Sequence, residues 1–525
     1  MECTCVRQTE LPHTSRLFAD YLYNPDRLRA FYDWPAHGFA DFQAAARTVS
    51  LPPERRAALV DALRPSNPGS AALEKLACPD TVAVVTGQQV GLFSGPAYTV
   101  YKALTAAKLA HELTARGVPA VPVFWLATED HDFAEVSHCW VFDAAHRPVR
   151  IQLKRAPLAN QPVGEAVLPA PPVAELGESL SDFPFGAEVT AMVADVYVPG
   201  RTMGEAFSRL LKRLLAPFDL IHIDPMEPAV RTLAAPALRS AVESGPLLTA
   251  DLLERDRALA AAGYHAQVHV EEQTSLVFLL ENGRRLALRR HADGYVLNGR
   301  RFTSAELAAR AVELSPNALL RPVVQDSILP TVAYVGGPAE VAYLAQSEVL
   351  YRRLLGRMPV AVPRAGFTLL DARSRKLMNR YGLCLGDFFQ GQEVLRERIA
   401  LRLIPPVLTG VLTETRASVE AAIDRLVVHV ASFDPTLAAA LEKSRVKIRH
   451  QVSKTERKIG REMLARDRRA AGDAAWLYGL IYPERHLQER LYSILPFLAK
   501  HGPDLPERLF DSLPLECPDH QLAAL

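Results

Sequence analysis

Very little in this 525-residue chain is present in excess. Its six cysteines, at 3, 5, 78, 139, 384 and 517, are too sparse for a disulfide scaffold, and no two have CxxC spacing. Cys3 and Cys5 cannot make a metal site alone and read as part of a reduced, frayed terminus. No run approaches the ~18 apolar residues of a membrane-spanning helix. The opening MECTCVRQTELPH has no apolar stretch of the signal-peptide kind. Neither charge sign dominates: the formal net charge is +1, which excludes a wholesale polyanion binder. What remains is ordinary globular composition, 49% hydrophobic and 23% charged. The expectation is a cytoplasmic protein of about three domains, with a core that needs no disulfide or metal staple.

Residues 1–76 read as helices broken by proline, with Leu17, Tyr21, Leu22, Leu28 and Phe31 as a helical stripe. The pattern then changes. TVAVVTG (81–87) is a β-branched run ending in glycine, and VPVFWLAT (121–128) is a second. Between them lies a helix, PAYTVYKALTAAKLAHELTARG (96–117), with Pro at its start and Gly117 as its stop. FDLIHIDP (218–225), TVAYVGG (331–337) and PVAVPR (359–364) continue the theme. Five such strands predict an α/β fold with an open, mostly parallel sheet. The long gaps between them predict inserted subdomains at about 139–217 and 226–325. The second insertion should contain a hairpin turning at Asn282–Gly283.

From 371 to 470 the character is helical, and 471–525 forms a further helical segment. Leu408, Leu412, Thr415, Val419, Ile423, Leu426 and Val430 make one seam. Leu437, Leu441, Ile448, Val452, Ile459 and Met463 make another. The break at ASFDPT, with Asp434 as N-cap and Pro435 at the first helical position, predicts an antiparallel coiled-coil hairpin free to pair with a second copy. The second helix holds the charge asymmetry. Residues 441–470 carry eleven Lys and Arg against four Asp and Glu, an excess of seven that the rest of the chain offsets with −6. This is either a solvated helix face or a phosphate or nucleic-acid contact.

Three segments carry chemistry. TGQQVGLFSGPAY (86–98) leaves a strand and opens a helix, where ligands bind in open α/β sheets. It is neither a GxGxxG nor a Walker loop. Gln88, Gln89, Ser94, Gly95 and Tyr98 are its candidate binding residues. In ATEDHDFAEVSH (127–138), four acids and two histidines crowd the next strand end. They suit a general base or an ammonium site, with Asp130 and His131 ahead of Asp132, which also fits an N-cap. No metal is expected, because no second ligand cluster is apparent. Gly336, Gly337 and Glu340 occupy another strand-to-helix turn, which faces the first loop if those two strands are neighbours. Arg364 ends the last strand.

TGQQVGLFSGPAYTVYKALTAAKLA, PVFWLATEDHDFAEV, RPVVQDSILPTVAYVGGPAEVAYLAQ, PVAVPR and IYPERHLQERLYSILPFLAKHG resemble, in order and over nearly the whole chain, the bacillithiol biosynthesis cysteine-adding enzymes. The resemblance implies a Rossmann-like parallel-sheet core (77–370) related to class I aminoacyl-tRNA synthetases. It also implies two connecting-peptide insertions and a dimerising coiled coil. The implied reaction adds L-cysteine to the amino group of glucosaminyl-malate. An ADP or ATP site involving the helical region is implied too. QQVGLFSG carries no His where those synthetases have HxGH, and KTERK (454–458) is not a KMSKS loop.

On this reading, the first loop and Gly336–Gly337 cradle carboxylate or phosphate groups. Asp130 holds an ammonium or acts as base, His131 shuttles a proton, and Arg364 pairs with the malyl carboxylates. The rival readings are a tRNA-handling protein using the basic helix, and a non-catalytic dimeric scaffold.

Overall fold

The computed structural model describes residues 2–35, 38–154, 158–291 and 294–525. All five expected strands form one sheet: β1 (Val82–Gln89), β2 (Ala120–Ala127), β3 (Ile221–Ile223), β4 (Thr331–Gly336) and β5 (Val360–Pro363). Its order is β5-β4-β1-β2-β3, and every pair is parallel. The strands are apolar runs because helices cover both faces. Alternation is still visible. Val123 and Trp125 of β2 join one core cluster, while Phe124 and Leu126 join another on the opposite face. Helix α1 (Tyr98–Ala115) links β1 to β2, and α2 (Pro338–Leu354) links β4 to β5. The strand order reverses between β1 and β4, so the two glycine-bearing loops open side by side at a topological switch point.

The connection from β2 to β3 holds helices and a small antiparallel pair, His138–Phe142 with Pro148–Gln152. That from β3 to β4 holds a five-stranded antiparallel sheet with the expected hairpin, Thr274–Glu281 against Arg284–His291. Asn282 and Gly283 both have positive φ, as a two-residue turn of this hand requires. The helical stripe of Leu17, Tyr21, Leu28 and Phe31 packs into the core beside Trp125 and Tyr334.

The N-terminus departs from expectation. It is not frayed: Glu2–Val6 pairs antiparallel with His520–Ala524, which runs parallel to Phe367–Leu370. Alternating short sequences at opposite ends of a chain give no signal of mutual pairing.

Helices α3 (Pro406–Phe433) and α4 (Pro435–Arg466) form the expected hairpin, with Asp434 accepting from the Thr436 N–H at 2.7 Å. Cross-pairs Arg416–Glu456 at 2.6 Å and Arg445–Asp424 at 2.6 Å fix its antiparallel register. Arg449 bonds Glu420, and Arg461 bonds Glu397. Arg445, Arg449 and Arg461 of α4 are therefore met by acids of the neighbouring helices. No helix among the described residues is long and apolar enough to cross a membrane.

Candidate active site

The first loop is shaped by close backbone approach. A Cβ on Gly87 would lie 2.8 Å from the Trp125 carbonyl oxygen, and one on Gly91 would lie 2.9 Å from the Gly95 Cα. Phe93, Ser94 and Gly95 follow in succession with φ of 50°, 74° and 63°. Non-glycine residues hold such angles only when their surroundings impose them. Here the Phe93 N–H donates to the Tyr197 hydroxyl at 3.0 Å, and the Ser493 hydroxyl donates to the Phe93 carbonyl at 3.1 Å. This geometry corrects one expectation. Ser94 is fully buried against Ser493 at 3.2 Å, so its hydroxyl faces the C-terminal segment and not the cleft. Gly95 serves the turn.

Beneath the loop lies a residue that pattern reading missed. Lys102 of α1 is 1% exposed. Its ammonium donates to the Gly87 carbonyl at 2.6 Å and to Gln88 Oε1 at 3.1 Å, and pairs with Glu340 Oε2 at 2.5 Å. Glu340 also accepts the Gly337 N–H at 2.8 Å and the Tyr334 hydroxyl at 2.7 Å. Burial pulls the Glu340 carboxyl upward, but Lys102, the Gly337 N–H and the Tyr334 hydroxyl outweigh it and hold it below the usual range. For Lys102, burial wins over Glu340 and draws the ammonium below the usual lysine value. The pair ties α1 to the β4 turn across the switch point. One expectation changes accordingly. The Gly337 N–H is taken by Glu340 and is not free to cradle a ligand. The Gly336 carbonyl accepts the Arg364 N–H at 2.9 Å.

At the end of β2, Gln89 donates to Asp130 at 2.5 Å and to Glu135 at 3.1 Å. Asp130 also accepts from the His131 N–H at 2.7 Å and lies 3.6 Å from Arg285. Burial raises its carboxyl, but Gln89, Arg285 and the backbone N–H groups together hold it below the ordinary value. Asp130 is thus a settled anion, better suited to anchoring an ammonium than to accepting a proton. Arg285 comes from the antiparallel sheet, stacked 3.9 Å from the Phe278 ring centroid. It lies 3.2 Å from His131 Nδ1. Burial and then Arg285 lower the His131 pKa. Because a guanidinium only donates, the ring is neutral, with Nδ1 accepting and the proton on Nε2. Asp132 is corrected: it caps the helix Phe133–Val136, accepting the Glu135 N–H at 3.2 Å.

Two further carboxyls complete the acidic side. Glu129 is 4% exposed; one oxygen accepts the Ser315 hydroxyl at 2.8 Å, and the other, Oε1, is buried without a hydrogen-bond partner. Burial raises its pKa. Asp224, just past β3, accepts from the Thr128 hydroxyl, and burial pushes it up to about 6. Both follow apolar strands directly, which was the available signal. Among the described residues no group of three His, Cys, Asp or Glu side chains is placed to hold a metal ion.

Arg364 is committed elsewhere. Its guanidinium bonds Glu489 at 2.6 Å in a buried pair, and Glu489 also accepts the Phe367 N–H at 2.9 Å. It lies over Tyr98, 5.3 Å from the ring centroid, and Gln88 donates to the Tyr98 hydroxyl at 3.3 Å. Arg490 covers the same ring at 5.8 Å and lines a surface cleft with His138, Trp140, Arg150, Glu484 and His486. Glu484 and Arg485, on the loop at its rim, have φ of 48° and 61°. The C-terminal segment, which supplied no candidate from sequence, closes one wall.

The model of the BshC N-terminal Rossmann-like domain matches residues 1–365, and that of the BshC C-terminal coiled-coil domain matches 367–525. A Solibacter usitatus protein is 63% identical over 522 residues, 99% of both chains. One from Koribacter versatilis is 36% identical over 530 residues, 99% of both. One from Salinibacter ruber is 32% identical over 536 residues, 97% of this chain and 96% of that one. Each bears the name "Putative cysteine ligase BshC". The parallel sheet, the helical hairpin and these full-length matches agree: the chain belongs to the BshC family of bacillithiol biosynthesis.

Proposed function

We propose that this protein is a cytoplasmic cysteine ligase that joins the carboxyl of L-cysteine to the amino group of glucosaminyl-malate, forming the amide that completes bacillithiol. Family membership supports the ligase class. One observation supports the finer reading: a chain of contacts through the first loop links a group of acids to a group of cations. Glu129, Asp130 and Asp224 lie at the ends of β2 and β3. Gln89, Gln88 and Tyr98 connect them to Arg490, Arg150 and His138 on the other side. Carboxylates take ammonium groups, and guanidinium groups take carboxylates. The two reactants are an amino acid and an amino sugar carrying a dicarboxylate, and such an arrangement suits both.

In this mechanism Asp130 anchors an ammonium, and His131 offers its Nε2 proton to a developing oxyanion. The attacking amine must lose a proton. Asp224, with its carboxyl near 6, has the proton affinity closest to that task. Arg490 and Arg150, which line the surface cleft together with Glu484, take the malyl carboxylates in place of Arg364.

ATP or ADP is the cofactor we infer. The residues fit a polyphosphate in a second cleft, where Lys376, Arg380, Arg468 and Arg469 gather beside Trp476. A bound triphosphate would supply the activation that a free carboxylate lacks. The inferred partner of the helical arm is a second copy of the chain. Val407 is 82% and Phe433 84% exposed there, and Val411, Val428 and Val446 are exposed with them. tRNA handling has less support, because Arg445 and Arg449 already face Glu420 and Asp424.

The test is purified protein with cysteine, glucosaminyl-malate and ATP, followed by thiol-labelling chromatography. Absence of bacillithiol, alone and with cell extract, refutes the reading.

A further inference from the structure

Cys5 and Cys517 are separated by almost the whole chain, yet their sulfurs lie 3.4 Å apart. Cys5 is exposed on the strand Glu2–Val6, and Cys517 is half-buried in the loop leading to His520–Ala524. The Gln521 side chain, 2% exposed, directs its Nε2 at both sulfurs, 3.6 Å from each. The same Nε2 donates to the Asp519 carbonyl at 3.0 Å, which fixes the amide between the two sulfurs, and burial raises the Cys517 thiol above its usual value. The other cysteines differ. Cys139 is buried, with its thiol pushed up to about 12 by burial, and Cys78 and Cys384 are exposed with no cysteine beside them.

We propose that Cys5 and Cys517 form a thiol-modification site that exchanges with low-molecular-weight disulfides and closes into an internal disulfide. The Cys5 thiolate attacks one sulfur of a disulfide RSSR. That S–S bond breaks, a thiolate RS⁻ leaves and takes a proton, and Cys5 carries a mixed disulfide. The Cys517 thiolate then attacks Cys5 Sγ, and the second RS⁻ leaves and is protonated. Two protein thiols are oxidised and one RSSR is reduced to two RSH, so the exchange needs no other oxidant. Excess RSH reverses it. The ratio of small thiol to small disulfide thus sets the state of the pair.

The link would fasten a strand that adjoins the buried Arg364–Glu489 pair. The Gln521 N–H donates to the Gly366 carbonyl at 2.8 Å, and Phe367 begins the neighbouring strand on which Glu489, the partner of Arg364, is bonded. The proposal stands on this geometry and does not depend on the ligase reading.

The experiment treats the full chain with oxidised glutathione, blocks remaining thiols in acid, and maps peptides without reduction. Expected is a fall from six free thiols to two fewer, with the Cys5 and Cys517 peptides joined. Hydrogen exchange should slow over 2–6 and 520–524, and dithiothreitol should reverse both changes. Cys517→Ser should accumulate a lasting glutathione adduct on Cys5, while Cys5→Ser should leave Cys517 unmodified. Early acid quenching of the unmodified chain should trap the Cys5 adduct, which tests the order without any variant. A stable Cys5 adduct in the wild-type chain, or modification confined to Cys78 and Cys384, overturns the proposal.

Discussion

The Lys102–Glu340 pair offers the sharpest test of how the switch point is held. Lys102→Met removes a buried cation that serves three acceptors: the Gly87 carbonyl, Gln88 and Glu340. Breaking a buried pair from one side costs about 3–5 kcal/mol, because the remaining charge stays buried and unpaired. Glu340 keeps the Gly337 N–H and the Tyr334 hydroxyl, which places the expected cost near the lower end, about 3 kcal/mol. Amide hydrogen exchange over β1 and β4 reads this locally, and ~3 kcal/mol corresponds to roughly a hundredfold faster exchange. Removing both charges, as Lys102→Met with Glu340→Gln, should cost less than the sum of the single changes by about 1–3 kcal/mol. Less than a tenfold change in the single variant, together with an additive double variant, would show that the pair does not brace the loops.

Three further outcomes are expected. Because the folded Asp224 carboxyl is raised above its unfolded value, its contribution is most favourable below the unfolded pKa near 4 and is lost as pH rises through about 6. Asp224→Asn should therefore stabilise the protein by ~2–3 kcal/mol at pH 8, with the gain vanishing near pH 4, and equal unfolding midpoints at pH 8 would refute this. Arg285→Met removes a cation that lowers the His131 and Asp130 values, so both should titrate at higher pH by NMR. Unmoved titrations would take Arg285 out of the site. Arg490→Ala should raise KM for glucosaminyl-malate tenfold or more while leaving KM for cysteine within about twofold, the signature of one lost charge-assisted contact. Equal changes in both would point to a structural role.

The five core strands could be read from the sequence because each is a continuous apolar run ending in glycine or a polar residue, a pattern that only a covered parallel sheet explains. The hairpin at Asn282–Gly283 and the break at Asp434–Pro435 were equally clear, since those residues do one local job well. Direction was not readable. Ser94 looked like a binding hydroxyl but turns inward, because the choice depends on Ser493, four hundred residues away. Arg364 looked free, and its partner Glu489 arrives from a helix with no signal of its own. Lys102 could have been found. It is the one charged residue in an otherwise apolar and hydroxyl-bearing stretch from Tyr98 to Ala107, and a cation there must be satisfied internally.

The pairing of Glu2–Val6 with His520–Ala524 has a consequence for biosynthesis. The first of these strands is made roughly five hundred residues before its partner. At about 5–20 residues per second the wait is on the order of half a minute to two minutes. The parallel sheet can close in that interval, because β5 is complete by Pro363. The strand Phe367–Leu370 cannot be covered until synthesis has passed residue 524. The nascent chain therefore carries two unpaired strands, Glu2–Val6 and Phe367–Leu370, until the strand that joins them is made, and how quickly that gap closes should govern the yield of folded protein at high expression.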